Sequence, residues 1–284
     1  MNCGICQAQD FRRLFSKDSE KGQCFEIMVC RQCNTMQTLP RPGAAELAAC
    51  YQDSYFEQRT ERGYANYRSE SVRSQIERVF QMNLNDLGFF AIEPDLLQSG
   101  GRSLDVGCAA GYFVQFMKDR GWQSCGVEVS KSMADYARGQ GLQVIHSDFL
   151  TDDFNHQSYD FVTLWASIEH FAEPRLVAER LSKLVRQGGA LVVSTCRRGL
   201  LSWLQGPSWR YMNVPEHLFF FSKQGLIRLF AGYGFRYVQS VSYGSGLTTR
   251  PGASVLYRLA KRIADPLVKL TDQGDMIAVR FERL

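Results

Sequence analysis

The chain has no run of apolar residues approaching the length of about eighteen that a membrane-spanning helix needs. Its first residues, Met1-Asn2-Cys3-Gly4-Ile5-Cys6, also lack the basic patch and apolar stretch of a secretory leader. A cytoplasmic protein with no membrane partner is therefore expected. Charge of a single sign is missing as well: 33 basic and 29 acidic side chains are mixed along the chain, giving a net charge of +4 with no block of like charges. So small an excess does not by itself point to nucleic acid. Internal repeats and low-complexity tracts are absent, which excludes solenoid and collagen-like architectures. Cysteine lacks an even count. There are nine, four of them in two Cys-x-x-Cys pairs, and with no mark of export this disfavours a disulfide framework and fits a reducing compartment.

What is present is ordinary globular material, 45% hydrophobic and 22% charged over 284 residues, enough for one large domain and a small module. Residues 1–42 form the module. In it, Cys3-x-x-Cys6 and Cys30-x-x-Cys33 make two thiolate knuckles with 23 residues between them, linked by a strand-like alternation over Cys24–Cys30 and closed by Pro40 and Pro42. Four thiolates at this spacing suit a tetrahedral Zn2+ ion in a ribbon, with Cys3, Cys6, Cys30 and Cys33 as ligands. Asn34 follows the second knuckle, where a positive φ is often required, and Asn tolerates it. Cys24 is an alternative ligand, and a redox role is the weaker reading because neither pair opens a helix after a core strand. Cys50, Cys108, Cys125 and Cys196 read as reduced thiols. Residues 43–100 are expected to form a helical connector or cap, rich in aromatics (Tyr51, Tyr55, Phe56, Tyr64, Tyr67) and carrying Ile76, Val79, Phe80 and Leu84 at helical spacing.

From residue 101 to 284 strand and helix signals alternate. The predicted strands are Ser103–Val106, Ser124–Val129, Leu142–His146, Tyr159–Trp165, Ala190–Ser194, Phe235–Val241 and Met276–Phe281. Helices are predicted from Tyr112, from Ser132, after Pro174 as far as Gly188-Gly189, and over Lys223–Ala231. This order predicts an α/β fold with a doubly wound, Rossmann-like, mostly parallel seven-stranded sheet. Residues 197–222 are read as a substrate-side loop and 243–275 as an insertion before the last strand. Within the insertion, Ala253–Leu270 reads as an amphipathic helical segment interrupted by Pro266. Its apolar face (Val255, Leu256, Leu259, Ile263) is expected to pack on its own sheet or on a second subunit as a homodimer.

The segment Leu104-Asp105-Val106-Gly107-Cys108-Ala109-Ala110-Gly111-Tyr112-Phe113 reads as a strand, a turn of small residues and a helix start, which lets a ligand approach the backbone closely. A dinucleotide fingerprint would place Gly at 107, 109 and 112, but Ala109 and Tyr112 stand there, so NAD is disfavoured. Asp105 beside the loop would repel a pyrophosphate and attract a cofactor bearing an ammonium and a sulfonium. The sign of that charge favours S-adenosylmethionine. Glu128, 21 positions after Gly107, ends the second strand where it can accept both ribose hydroxyls, and Asp148 follows the third strand within reach of an adenine amino group. With Tyr159-Asp160-Phe161-Val162, Ile168-Glu169-His170-Phe171-Ala172-Glu173-Pro174 and the terminal Gly274-Asp275-Met276-Ile277, these segments resemble class I methyltransferases, especially the ubiquinone-pathway O-methyltransferases, over roughly residues 100–284. The resemblance implies that Asp105, Gly107, Gly111, Glu128 and Asp148 hold the cofactor, with Cys108, Ala109, Val129, Phe149 and Trp165 around it. Ala109 stands where such enzymes more often have Gly.

Methyl transfer from a sulfonium is an in-line displacement that needs alignment and water exclusion and, as chemistry, no metal. A hydroxyl or amine acceptor gains from a base, and the chain offers four histidines. His146 and His156 read as structural or exposed. His217, in Asn213-Val214-Pro215-Glu216-His217-Leu218, is the first choice for the base or acceptor-orienting group, and His170 the second; the alternative is that each satisfies backbone groups. Trp203, Trp209, Tyr211, Tyr64 and Tyr67 are candidates for an aromatic cap over the acceptor. The expected function is methylation of a small molecule, favouring O-methylation of a sugar, glycan or secondary metabolite. Zinc ribbons also precede the methyltransferase domain in certain ribosomal RNA enzymes and sugar C-methyltransferases, and the chain resembles both in domain order. An RNA methyltransferase would need a basic groove near the module, where Arg12, Arg13, Lys17 and Lys21 are offset by Asp10, Asp18 and Glu20. A non-catalytic scaffold is the third alternative.

Overall fold

Short apolar stretches bounded by small residues become strands, and the amphipathic stretches between them become helices that cover the sheet. The computed structural model describes residues 2–43, 46–47, 50, 56, 66–151, 158–247 and 252–284. Tyr51, Tyr55, Tyr64 and His156 lie outside the described residues.

The N-terminal strands β1 (Phe11–Asp18), β2 (Cys24–Cys30) and β3 (Met36–Leu39) form an antiparallel meander. Two helices, α1 (Glu70–Asp86) and α2 (Phe89–Gln98), then lead to the main sheet. On α1 the predicted helical spacing buries Ile76, Phe80 and Leu84. The main sheet follows the predicted alternation: β4 (Arg102–Val106), α3 (Tyr112–Lys118), β5 (Gln123–Glu128), α4 (Lys131–Gly139), β6 (Gln143–His146) and β7 (Tyr159–Trp165). It continues through α5 (Pro174–Leu184), β8 (Val185–Cys196), α6 (Leu200–Gln205), a two-residue strand β9 (Phe219–Phe220) and α7 (Lys223–Ala231). The chain ends with β10 (Phe235–Tyr243), α8 (Val255–Leu270) and β11 (Met276–Arg283).

Seven strands pair in the order β10-β11-β8-β7-β4-β5-β6, with β11 antiparallel to both neighbours and the other neighbouring pairs parallel. This is the doubly wound sheet expected from the sequence. Its direction of winding reverses between β4 and β7, which opens a crevice beyond their carboxyl ends.

Two boundaries differ from expectation. The helix after Pro174 stops at Leu184, because buried Val185 already pairs with Tyr159. Gly188 and Gly189 sit in a bulge of β8, Gly188 at φ 71° and Gly189 where a Cβ would stand 2.8 Å from the Arg186 carbonyl. Helix α8 runs unbroken through Pro266, and no residue on it is buried. A proline removes one backbone hydrogen bond, and on an exposed helix the carbonyl it frees can turn to water. Val255, Leu256, Leu259 and Ile263 are 52–78% exposed, so their face is not packed on the sheet. No described helix is long and apolar enough to cross a membrane.

The N-terminal meander is completed from far along the chain. Strand β9 pairs antiparallel with β3 through Met36↔Phe220 and Gln37↔Phe219, making a four-stranded sheet β1-β2-β3-β9. The first knuckle seats on the same strand: a Cβ at Gly4 would stand 2.7 Å from Phe219 Cζ. Gly4→Ala is expected to cost about 1–3 kcal/mol through this clash, read as a lowered thermal midpoint. An unchanged midpoint would mean that the knuckle does not rest on Phe219.

Candidate functional site

The loop after β4 is shaped by what packs beneath it. Gly107 and Gly111 have φ values of 76° and 77°. A Cβ at Gly107 would meet Ser167 at 2.7 Å, and one at Gly111 would meet Leu142 at 2.7 Å, so neither position takes a side chain. The Gly107 and Cys108 N–H groups donate to the Val127 carbonyl at 2.9 and 3.1 Å. Glu128 then grips the turn: its Oε2 accepts from Ala109 N–H and its Oε1 from Ser130 N–H, both at 2.8 Å. Burial pushes the Glu128 carboxyl above its ordinary pKa, and these backbone N–H groups oppose the shift. Ala109 adopts φ 45°, a left-handed conformation in the position where Gly is commoner.

Asp105 lies under this loop on β4, fully buried, and accepts a 2.7 Å hydrogen bond from the Thr163 hydroxyl. Desolvation pushes its pKa up to about 7, the Thr163 bond pulls it down, and the Glu128 charge adds to the rise.

A cavity of about 740 Å³ opens above the loop. Of the candidate site residues, Gly107, Ala109, Glu128, Val129, Asp148, Phe149, Trp165, His170 and His217 line it. Asp105, Cys108 and Gly111 do not line it: Cys108 packs inward against Gly126 and Val114, so these three support the loop from below. Of the aromatic candidates, Tyr67 and Tyr211 line the cavity. Trp209 is buried beneath it with its Nε1 donating to Asp275 at 2.7 Å, and Trp203 is 69% exposed, so neither is a cap. Ala166, Ser167, Glu169 and Asn213 also line the cavity and were not predicted. Two buried donors on its wall, Trp165 Nε1 and Asn213 Nδ2, have no acceptor among the described residues, as expected where a ligand supplies one. His146 is exposed, with Nε2 3.2 Å from the Val129 carbonyl.

The two predicted histidines meet at the far end. The turn Ile168–His170 follows β7, and the Leu218 N–H donates to the Glu169 carbonyl at 2.8 Å, tying this turn to the segment before β9. The His170 and His217 rings stand 4.8 Å apart at 75°. His217 is held through its backbone: its N–H donates to Asn213 O at 2.8 Å, and its carbonyl accepts from the Thr38 hydroxyl at 2.7 Å.

The four predicted thiols also come together. One donor atom from each of Cys3, Cys6, Cys30 and Cys33 lies within 4.8 Å of the others, with Sγ–Sγ distances of 3.6 Å for Cys3–Cys33 and Cys6–Cys30. That is well beyond a disulfide bond of about 2.05 Å. The two knuckles repeat one pattern: Gln7 N–H donates to Cys3 O at 3.0 Å and Asn34 N–H to Cys30 O at 2.9 Å, with Gln7 and Asn34 at φ 63° and 61°. Cys24 is exposed on β2 and outside the cluster.

A methyltransferase-domain family model matches residues 64–240. The chain belongs to the methyltransferase-domain family. A ubiquinone biosynthesis O-methyltransferase from Idiomarina loihiensis is 28% identical over 170 residues, covering 55% of this chain and 69% of that protein. Its counterpart from Vibrio cholerae is 34% identical over 112 residues, covering 37% of this chain and 46% of that protein. The chain thus spans about half to two thirds of the length of the curated relatives it matches. A SAM-dependent methyltransferase from Archaeoglobus fulgidus shares the fold, with a TM-score of 0.53 at 17% identity over 74% of this chain and 94% of that one.

In this methyltransferase domain the buried Asp105 carboxyl sets a pH dependence. Between the unfolded value of about 3.9 and about 7 the folded chain holds the Asp105 proton more tightly than the unfolded chain does. Native stability therefore falls as pH rises across this window and is level above it. Asp105→Asn keeps an acceptor for Thr163 and removes the titration. Relative to the parent, the variant is expected to gain at most about 1.4 kcal/mol per pH unit across the window, read by denaturant unfolding without cofactor. A stability difference independent of pH would show that Asp105 is already ionised in the folded protein.

Proposed function

We propose that the chain transfers a methyl group from S-adenosylmethionine to a small-molecule acceptor, with O-methylation of a sugar, glycan or secondary metabolite as the favoured reaction. The observation that carries this reading is one cavity lined at once by the glycine-rich turn, by the acids Glu128 and Asp148 and by the His170–His217 pair. Glu128 lines the cavity with its carboxyl held by backbone N–H groups, which suits a carboxylate that accepts from ribose hydroxyls. Asp148 is exposed at the rim, with Oδ1 accepting from its own turn at Leu150 N–H, 2.8 Å away, and would meet the adenine amino group. Asp105, beneath the loop, would ionise more readily once a cofactor that carries positive charge is bound.

On the acceptor side, His170 Nδ1 lies 2.9 Å from Glu216 O and His217 Nδ1 2.8 Å from Tyr211 O. A carbonyl only accepts, so Nδ1 carries the proton in each neutral ring and Nε2 the lone pair. His217 is the residue proposed to take or orient the acceptor proton, with His170 beside it. A largely apolar wall favours in-line transfer by disfavouring water beside the reacting groups. The basic residues of the module support a small molecule over RNA, since Arg13 pairs with Glu26 and Arg31 with Asp10.

Domain bounds of 1–42, 43–100 and 101–284 remain the proposed division, with a structural zinc ion in the first unit. A tetrahedral ion with Zn–S bonds of about 2.3 Å sets sulfur–sulfur edges of about 3.8 Å, close to the 3.6 Å distances of the cluster. The ion would hold the knuckles against β9 and, through β3, fix the carbonyl of His217.

Calorimetric titration of S-adenosylmethionine and its demethylated product tests the cofactor. Binding is expected, with Glu128→Ala weakening it about tenfold or more through lost charge-assisted hydrogen bonds; no binding to the parent would sink the proposal. Cys30→Ser is expected to release one zinc ion per chain and to leave cofactor affinity within about twofold while acceptor turnover falls at least about tenfold. Equal loss on both sides would mean that the module supports the whole fold rather than the acceptor end.

A further inference from the structure

Glu169 went unremarked in the sequence beyond its place in a motif, yet it completes a cluster. One donor atom each from Glu169, His170 and His217 lies within 4.8 Å of the other two. All three residues line the cavity, and Glu169 and His217 are buried. We propose that these three side chains bind a divalent first-row transition ion, zinc or a neighbour, at the acceptor end of the cavity.

Three independent features support the assignment. The ligand set is two imidazoles and one carboxylate, which suits such ions and, unlike an all-oxygen cage, not magnesium or calcium. Three protein ligands leave coordination positions open toward the cavity, as in a catalytic rather than a structural site. Each ligand is also oriented from behind. The Nδ1 atoms of His170 and His217 donate to the Glu216 and Tyr211 carbonyls at 2.9 and 2.8 Å, which anchors each ring from its Nδ1 side. The Thr195 hydroxyl donates to Glu169 Oε2 at 2.8 Å. Metal-binding histidines and carboxylates are held in this manner, because an outer partner fixes the tautomer and the direction of the ligand atom. The ligands come from two segments 47 residues apart, and the Leu218 N–H to Glu169 O bond locks those segments together.

The ion's role rests on the methyl-transfer reading, whereas its binding does not. As a ligand of the ion, His217 would orient the acceptor and not take its proton, and an acceptor oxygen on the ion would lose that proton to solvent more readily. Its lone pair would then form the new O–CH3 bond as the CH3–S bond breaks and that electron pair returns to sulfur, turning the sulfonium into a neutral thioether. The acceptor class is thereby narrowed to molecules that present an oxygen donor.

Equilibrium dialysis of the full chain against Zn2+, with bound metal counted by mass spectrometry, tests the site apart from the thiolates. The readout is the difference between parent and variants. Glu169→Gln, His170→Ala and His217→Ala are each expected to bind one ion fewer per chain. Thr195→Val, which removes no ligand, is expected to weaken affinity for that ion about 10- to 100-fold. Titration with the demethylated cofactor product shows that each variant is folded and reports on the methyltransferase reading separately. Equal zinc content in the parent and in the folded triad variants would overturn the assignment whether or not the cofactor binds.

Discussion

The placement of His170 and His217 depends on a two-strand contact between chain segments about 180 positions apart. Residues Met36 and Gln37 pair with Phe220 and Phe219, and the next residue on the module side, Thr38, donates its N–H to Leu218 O at 3.0 Å and its hydroxyl to His217 O. Leu218 returns its own N–H to Glu169. A chain of backbone hydrogen bonds therefore runs from the knuckles through β3 to the turn after β7 and so to the reversal point of the main sheet. Ser222 strengthens it, with its hydroxyl donating to Cys33 O at 2.5 Å. A strand as short as Phe219–Phe220 is not stable alone. It persists because three strands of the module lie on one side and a Phe-rich core on the other, where Phe219 and Phe221 share a cluster with Cys3, Cys30 and Cys33. The module thus backs the segment that carries His217 and is not an appended bead.

The cofactor end obeys a different constraint. Asp105 and Glu128 are both removed from water beneath one turn, and each raises the cost of ionising the other. Backbone N–H groups of Ala109 and Ser130 offset part of this at Glu128, and the Thr163 hydroxyl part of it at Asp105. What is left at Asp105 is relieved by a proton, since its pKa is pushed up to about 7. The sequence reading set Asp105 beside the loop as a charge for the cofactor; the residue lies below the turn and does not line the cavity.

Much of this was legible because it is local. The 2-residue period of the strands, the 3.6-residue period over Lys223–Ala231 and the spacing of the four thiols are all short-range patterns, and each appears where expected. The strand ends Glu128 and Asp148 follow from the doubly wound order itself. What escaped was set by distant partners. Cys108 and Ala109 are neighbours on one turn, yet one faces the core and the other the cavity, and no periodicity separates them. Trp209 is fixed by Asp275, 66 positions on. Glu169 gained its partners only when Leu218, 49 residues later, folded back over it. The helix stop expected at Gly188-Gly189 failed because two glycines mark a bulge as readily as a terminus.

Two strained residues flank the reversal point and link the ends of the site. Ala109 follows β4 at φ 45° and Ala166 follows β7 at φ 49°, conformations that cost a non-glycine residue roughly 1 kcal/mol each. Both line the cavity, and each is pinned by a main-chain donor: Ala109 N–H to Glu128, and Ala166 N–H to Ser194 O at 2.8 Å. Glycine would relieve the strain but would free the two turns that carry, on one side, the cofactor loop and, on the other, Glu169 and His170. Alanine restricts both turns to fewer conformations, so the separation of the two turns across the cavity is set by the sheet and not left to loop motion. Group transfer of the methyltransferase kind depends on such a separation more than on any single side chain, which is a physical reason for the strain to persist at these two positions.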